Sequence, residues 1–172
     1  MTLPLVTVAI CTYNGERYLE ETLSSVRAQT YPQMEVVIVD DGSSDSTIAI
    51  IRKYAKDDAR IRWFSRKNAG LPASRNFAFA QARGEWIAII DQDDLCYPER
   101  LARQVEVAAV YPSAGLIFSD THYIDEAGQI LGNHFSLFTL PDSFIPKGIA
   151  SDLLLRKGCY VDSEACFVKR TA

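Results

Sequence analysis

Asp91, Asp93 and Asp94 place three carboxylates within four positions, directly after the apolar run WIAII and shortly before Pro98 opens a new amphipathic pattern. Two carboxylates held near 4 Å repel by about 4 kcal/mol at an effective dielectric of 20. A folded loop that converges Asp91 and Asp93 therefore needs a cation or a raised pKa. Hard oxygen ligands suit Mg2+ or Mn2+, which commonly take one or two carboxylates, several waters and the phosphates of a substrate. The bland alternative is a solvated turn whose acids fan apart, one of them favouring the N-terminus of a helix that Pro98 starts.

Two more polar stretches stand at the ends of apolar runs, CTYNGERY at 11–18 and VDDGSSDST at 39–47. Each alone has a structural explanation. Thr12 and Asn14 suit the approach to a helix, and Ser43, Ser44 and Asp45 fit turn and N-cap preferences. Several chemistries fail on the letters. An EF-hand starting at Asp91 needs glycine at its sixth position and glutamate at its twelfth, where Cys96 and Ala102 stand. A dinucleotide fold needs G-x-G-x-x-G after the first strand and a P-loop needs G-x-x-x-x-G-K-[ST], but the first loop offers only Gly15. A phosphate-accepting receiver domain shares the pairing of acids at strand ends, and no single residue separates it.

The elements that must position these loops alternate. LVTVAIC (5–11), EVVIVD (35–40), IRWFS (61–65) and EWIAIID (85–91) are short, apolar and largely β-branched, as expected of buried strands. Helical spacing recurs in Leu19, Leu23 and Val26, in Ile48, Ile51 and Ala55, and in Leu101, Val105 and Ala108, while Ala73 to Ala82 form a further helix with a stop at Gly84. The order β-α-β-α-β-α-β-α predicts an α/β fold with a doubly wound, mostly parallel sheet. In such sheets ligands collect beyond the carboxyl ends of the strands. After Pro112 the rhythm changes to an appended mixed or antiparallel section. AGLIFSD and YIDEAGQIL read as short strands, a Phe-rich irregular stretch runs from Asn133 to Pro146, KGIASDLLLR reads as a short helix and CYVDSEACFVKR as a final strand.

With 172 residues and 48% hydrophobic content, the chain supports one globular domain or a large piece of one. The formal net charge of −4 offers no basic footprint for nucleic acid. Cys11, Cys96, Cys159 and Cys166 are scattered without a C-x-x-C, which argues against zinc and for buried thiols in a reducing compartment. No apolar run reaches membrane-spanning length, and MTLPLVTVAI lacks the basic start of a signal peptide. The expectation is a cytoplasmic protein, with the inner face of the membrane left open as a peripheral location. Oligomeric state is not legible.

Taken together, the segments from VTVAICTYNGERY through VVIVDDGSSDST and NAGLPASRNFAFAQARGEWIAIIDQDD to PERL resemble the family 2 inverting glycosyltransferases, of A-type glycosyltransferase fold. The resemblance implies one such domain over 1–172, with a nucleotide-binding half at 1–111 and the start of an acceptor-side half at 112–172. It implies that Thr12, Tyr13 and Asn14 line a nucleotide pocket, that Asp41 rather than Asp40 bonds the base, and that Asn68, Gly70 and Arg75 cover the nucleotide. The D-x-D motif falls on Asp91, Gln92 and Asp93, with Asp91 near the ribose or metal and Asp93 on the metal, Mn2+ or Mg2+. Asp94 lies outside the triplet as support. The implied partners are a nucleoside-diphosphate sugar and a saccharide or lipid-linked acceptor, and the implied reaction is metal-dependent, inverting transfer to an acceptor hydroxyl in glycan or polysaccharide biosynthesis. The family's usual general base is an acid after a glycine-phenylalanine signature, which is expected beyond Ala172. Asp120, Asp152, Asp162 and Glu164 read as surface or loop charges. A module that binds nucleotide sugar without that base is the alternative.

Overall fold

The apolar runs form four parallel strands in the computed structural model, which describes residues 2–134, 136 and 163–171: β1 (Val6–Thr12), β2 (Met34–Asp40), β3 (Ile61–Ser65) and β4 (Trp86–Asp91). Every residue of β1 and β2 is buried, so VTVAICT and MEVVIVD read as near-continuous apolar runs without alternation. Helices α1 (Leu19–Arg27), α2 (Thr47–Asp57), α3 (Leu71–Gln81) and α4 (Arg100–Val110) follow the four strands in turn. One sheet face, with Val8, Ile10 and Ile38, packs against Leu23, Ile51 and Leu101 of α1, α2 and α4. The other, with Ala9, Val37 and Ile87, packs against Ala78 of α3.

Beyond α4 come β5 (Leu116–Phe118), the hairpin β6 (His122–Ile124) and β7 (Ile130–Asn133), and β8 (Cys166–Lys169), which a 3-10 turn at Ser163–Ala165 precedes. The main sheet runs β3-β2-β1-β4-β8-β5, and β8 is antiparallel to both its neighbours. The expected mixed section is therefore built partly into the main sheet. Thr12 pairs with Asp40 and Cys11 with Asp91, so β1, β2 and β4 end at one edge. There β1 separates β2 from β4, which makes a topological switch point and opens a crevice.

Phe167 fixes β8 in this sheet. It is fully buried and stacks on Trp86 with ring centroids 4.8 Å apart. Arg100 adds a polar clamp, its Nη2 donating to the carbonyls of Ile89 (3.1 Å) and Glu164 (2.7 Å). Phe167→Ala is expected to cost about 3–5 kcal/mol, the usual range for emptying a buried aromatic site. Urea unfolding measures it, and a loss below about 1 kcal/mol would detach β8 from the core.

Three expectations shift. Pro98 lies in a turn and α4 begins at Arg100. The backbone N–H of Thr30 and the side-chain amide of Gln29 bond the carbonyls of Pro98 and Tyr97, which holds the segment as a connection. The buried stripe of α2 is Thr47, Ile51 and Tyr54, not Ile48, Ile51 and Ala55. Tyr54 turns inward because its hydroxyl meets Ser24 Oγ at 2.7 Å and donates to the Glu20 carbonyl. The segment expected as a final strand starts pairing only at Cys166, after the 3-10 turn. Cys11, Cys96 and Cys166 are buried, and Cys11 and Cys96 are free thiols. KGIASDLLLR, Cys159, Asp152, Asp162 and most of the Phe-rich stretch lie outside the described residues. Among the described residues, no helix is long and apolar enough to cross a membrane.

Candidate functional site

The first two loops are stitched together by their own polar groups. Asn14 takes a left-handed conformation (φ 49°), its N–H donating to Ser43 Oγ (2.9 Å) and its Oδ1 accepting from the Ser44 N–H (2.9 Å). The Gly15 N–H donates to Thr47 Oγ1, and the Glu16 N–H to Asp45 Oδ2. Asp45 also accepts from the Thr47 N–H, as expected of a residue beside the α2 N-terminus. Asn14 thus fixes the loop rather than lining a cavity.

Asp41 follows the last residue of β2, and its buried carboxylate faces the start of α3. It accepts from Ser74 Oγ (2.8 Å), the Gly70 N–H (2.8 Å) and the Ala69 N–H (3.0 Å). The Ser74 hydroxyl belongs to the first turn of α3 and the two amides to the residues that lead into it, so Asp41 pins the start of α3 from a remote strand. Gly70 enters the helix at φ 86°, a conformation that favours glycine. Burial pushes the Asp41 carboxyl up, but the Ser74 hydroxyl, the Ala69 and Gly70 amides and the Arg66 charge outweigh it and hold it below the usual range. Asp40 points elsewhere, to the Ser43 N–H and the Ser65 hydroxyl.

Between β1, β4 and α3 lies a cavity of about 300 Å³, lined by Thr12, Tyr13, Asp41, Asp91 and Asp93 together with Cys11, Leu71, Ser74 and Gln92. Arg75 closes one side through an ion pair with Asp91 at 2.6 Å. Of the residues singled out from the sequence, Thr12, Tyr13, Asp41, Asp91 and Asp93 meet here and Arg75 borders the site through Asp91. Gly70 acts through its amide on Asp41. Asn68 is exposed and outside the lining, as is Asn14. Burial pushes the Cys11 thiol up to about 11, so it is a neutral wall.

The acidic loop converges differently from its letters. Among the described residues, Asp91, Asp94 and Glu164 bring carboxylate oxygens within 4.8 Å of one another, while Asp93 is exposed at the turn. Glu164 is thus no isolated surface charge, and Asp94 stands beside it and Asp91. Burial, then the charges of Glu164, Asp91 and Asp93, push Asp94 up to about 6. A second cavity of about 660 Å³ opens on the far side of Asp93 and Asp94, reaching Tyr97, His122, Ile124 and Glu164.

The sign of the Asp94 shift gives a test. A carboxyl whose folded pKa exceeds its unfolded value of about 3.9 contributes stability that is complete below that value and is lost as pH rises through about 6. Asp94→Asn is expected to unfold at a higher temperature than the parent at pH 7.5 without metal, and at the same temperature near pH 4. A variant equally displaced at both pH values contradicts the assignment.

The sequence pattern of "Glycosyl transferase family 2" matches residues 7–170. The chain belongs to that family. An uncharacterized glycosyltransferase of Methanocaldococcus jannaschii is 40% identical over 134 residues, covering 76% of this chain and 46% of that protein. The first 349 residues of S. aureus TarS, solved in complex with UDP, superpose with a TM-score of 0.75 at 26% identity, covering 97% of this chain and 47% of that one. A mannosyltransferase from Pyrobaculum calidifontis, solved with GDP-Man and Mn2+, is 32% identical with a TM-score of 0.63 over 67% of this chain and 35% of that one. This family member spans less than half the length of the first curated relatives it matches. Family membership agrees with the A-type fold, since the central sheet is mostly parallel. The lining residues that sequence reasoning did not single out for the site are Cys11, Leu71, Ser74 and Gln92, and Glu164 was read as a surface or loop charge. Only the proline after Leu71 marked that region as a helix start.

Proposed function

We propose that the chain binds a nucleoside-diphosphate sugar with Mn2+ or Mg2+ and serves inverting transfer to an acceptor hydroxyl in glycan or polysaccharide biosynthesis. The observation that carries this reading is the one cavity on which three strand ends converge, lined by Tyr13, Asp41, Asp91 and Asp93 together. Asp41 offers a carboxylate for a base N–H, held ionised by its hydrogen bonds. Tyr13, half exposed, offers a flat face to the nucleoside. Asp93 and Asp91 would hold the metal, and the ion when bound offsets charge on the leaving diphosphate. Arg75 adds a cation beside Asp91. The donor set is oxygen only, as such a hard ion prefers.

The second cavity meets the first at Asp93, so we assign it to the acceptor, of saccharide or lipid-linked type. Inverting transfer also needs a base within hydrogen-bond reach of the acceptor hydroxyl. None of the carboxylates Asp91, Asp93, Asp94 and Glu164 is given that role.

Titration calorimetry with UDP and GDP, each with and without Mn2+, tests the donor half. Binding of at least one nucleotide that strengthens with Mn2+ is expected. No metal-dependent binding to either would overturn the reading. Nucleotide binding without transfer would favour a binding module over an enzyme.

A further inference from the structure

Gln92 stands between the two acids of the D-x-D triplet, where its spacing alone marks it as filler. Both ends of its side-chain amide are engaged. Oε1 accepts from Thr12 Oγ1 at 2.6 Å and from the Tyr13 N–H at 2.9 Å, while Nε2 reaches the Tyr13 carbonyl at 3.4 Å. Its own carbonyl accepts from Thr22 Oγ1 of α1 at 2.8 Å. The peptide unit on each side of Tyr13 is therefore held by one amide, and that amide sits between Asp91 and Asp93. Space has been kept for it. A Cβ on Gly15 would lie 2.5 Å from Gln92 Oε1 and 2.8 Å from Thr12 Oγ1. Gln92, Thr12 and Tyr13 all line the cavity.

We infer that Gln92 is the positioning residue that sets the Tyr13 wall relative to the acidic loop, and so couples the nucleoside end of the site to its diphosphate end. The inference rests on the proposed nucleotide reading of the cavity. Gln92 touches neither end as a ligand in this scheme. It acts through the Tyr13 backbone, and a ligand that lacks the nucleoside gains nothing from it. Thr12 is the shared partner: it is almost fully buried and gives its hydroxyl to Gln92. The first loop cannot shift against the β4 loop without breaking bonds to this one amide.

The test compares UDP with inorganic pyrophosphate, both with Mn2+, on the full chain and on Gln92→Met, which keeps the length and removes both hydrogen-bonding functions. UDP affinity is expected to fall about tenfold, the scale of losing such bonds, while pyrophosphate affinity stays within about twofold. In a Tyr13→Ala background, Gln92→Met is expected to change UDP affinity little further, because the two act through one wall. Gln92→Glu keeps the Oε1 acceptor and is expected to retain the parent's ratio of UDP to pyrophosphate affinity. Should Gln92→Met not fold, Thr12→Val removes one of the two Oε1 donors and is expected to lower that ratio about threefold. Equal losses for UDP and pyrophosphate, additive effects with Tyr13→Ala, or an unchanged ratio in Gln92→Met overturn the inference. A parent chain that binds pyrophosphate but no nucleoside diphosphate overturns instead the reading on which it rests.

Discussion

Asp93→Ala is expected to abolish the Mn2+ dependence of nucleoside-diphosphate binding while leaving the fold intact. Asp93 is exposed at the turn after β4, so its loss strands no buried partner. It also lines both cavities, the proposed donor site and the proposed acceptor site. Removing outer groups that merely support a metal ligand costs about 10–100-fold in affinity, so removal of a ligand itself should cost at least about a hundredfold in the presence of Mn2+. Calorimetry at matched free Mn2+ measures the loss, and a thermal melt within a degree or two of the parent shows that the fold is kept. A variant with the parent's Mn2+ increment would shift the metal to Asp94 and Glu164, the other carboxylates grouped with Asp91.

The second large effect falls on stability. Asp41→Ala leaves Ser74 Oγ and the Ala69 and Gly70 amides without their acceptor. Loss of such an anchor at a helix start costs about 0.5–2 kcal/mol and a buried unsatisfied donor about 1–3 kcal/mol, so a total of about 1.5–5 kcal/mol is expected. Among the described residues, helix α3 alone supplies the helical side of the smaller core face, so the loss should reach Ala78 and Val37. Because the folded Asp41 carboxyl sits below its unfolded value, its contribution is present above about pH 4 and is lost as pH falls through the folded pKa. Urea midpoints at pH 7 should separate parent from Asp41→Ala widely, and the gap should narrow at pH 3. A constant gap would show that the charge is irrelevant and only the shape matters.

The parallel half of the fold was legible chiefly because β1, β2 and β4 are buried on two faces, so their apolar runs are unbroken and stop at the polar loops. For the same reason the acids of β2 and β4 could be placed at strand ends before their neighbours were known. The side to which each acid turns was not legible. Asp40 and Asp41 are adjacent letters, yet only Asp41 reaches α3, 33 positions along the chain at Ser74. Glu164 was hidden for a topological reason. It meets Asp91 only because β8 inserts antiparallel between β4 and β5, an order that chain proximity cannot show. Gln92 was hidden by its pattern, since the triplet treats it as a spacer while its amide bonds residues 79 and 80 positions away. The α2 stripe was misread by one residue because a hydroxyl made Tyr54 the inward position.

The most direct measurement is a crystal structure of this chain grown with Mn2+ and UDP, the ion located by its anomalous signal. The account predicts the ion on the carboxylates of Asp93 and Asp91, the diphosphate against it, and the uracil between Tyr13 and Asp41. An ion held by Asp94 and Glu164 with Asp93 free, or a nucleotide bound away from the crevice between β1 and β4, would contradict it.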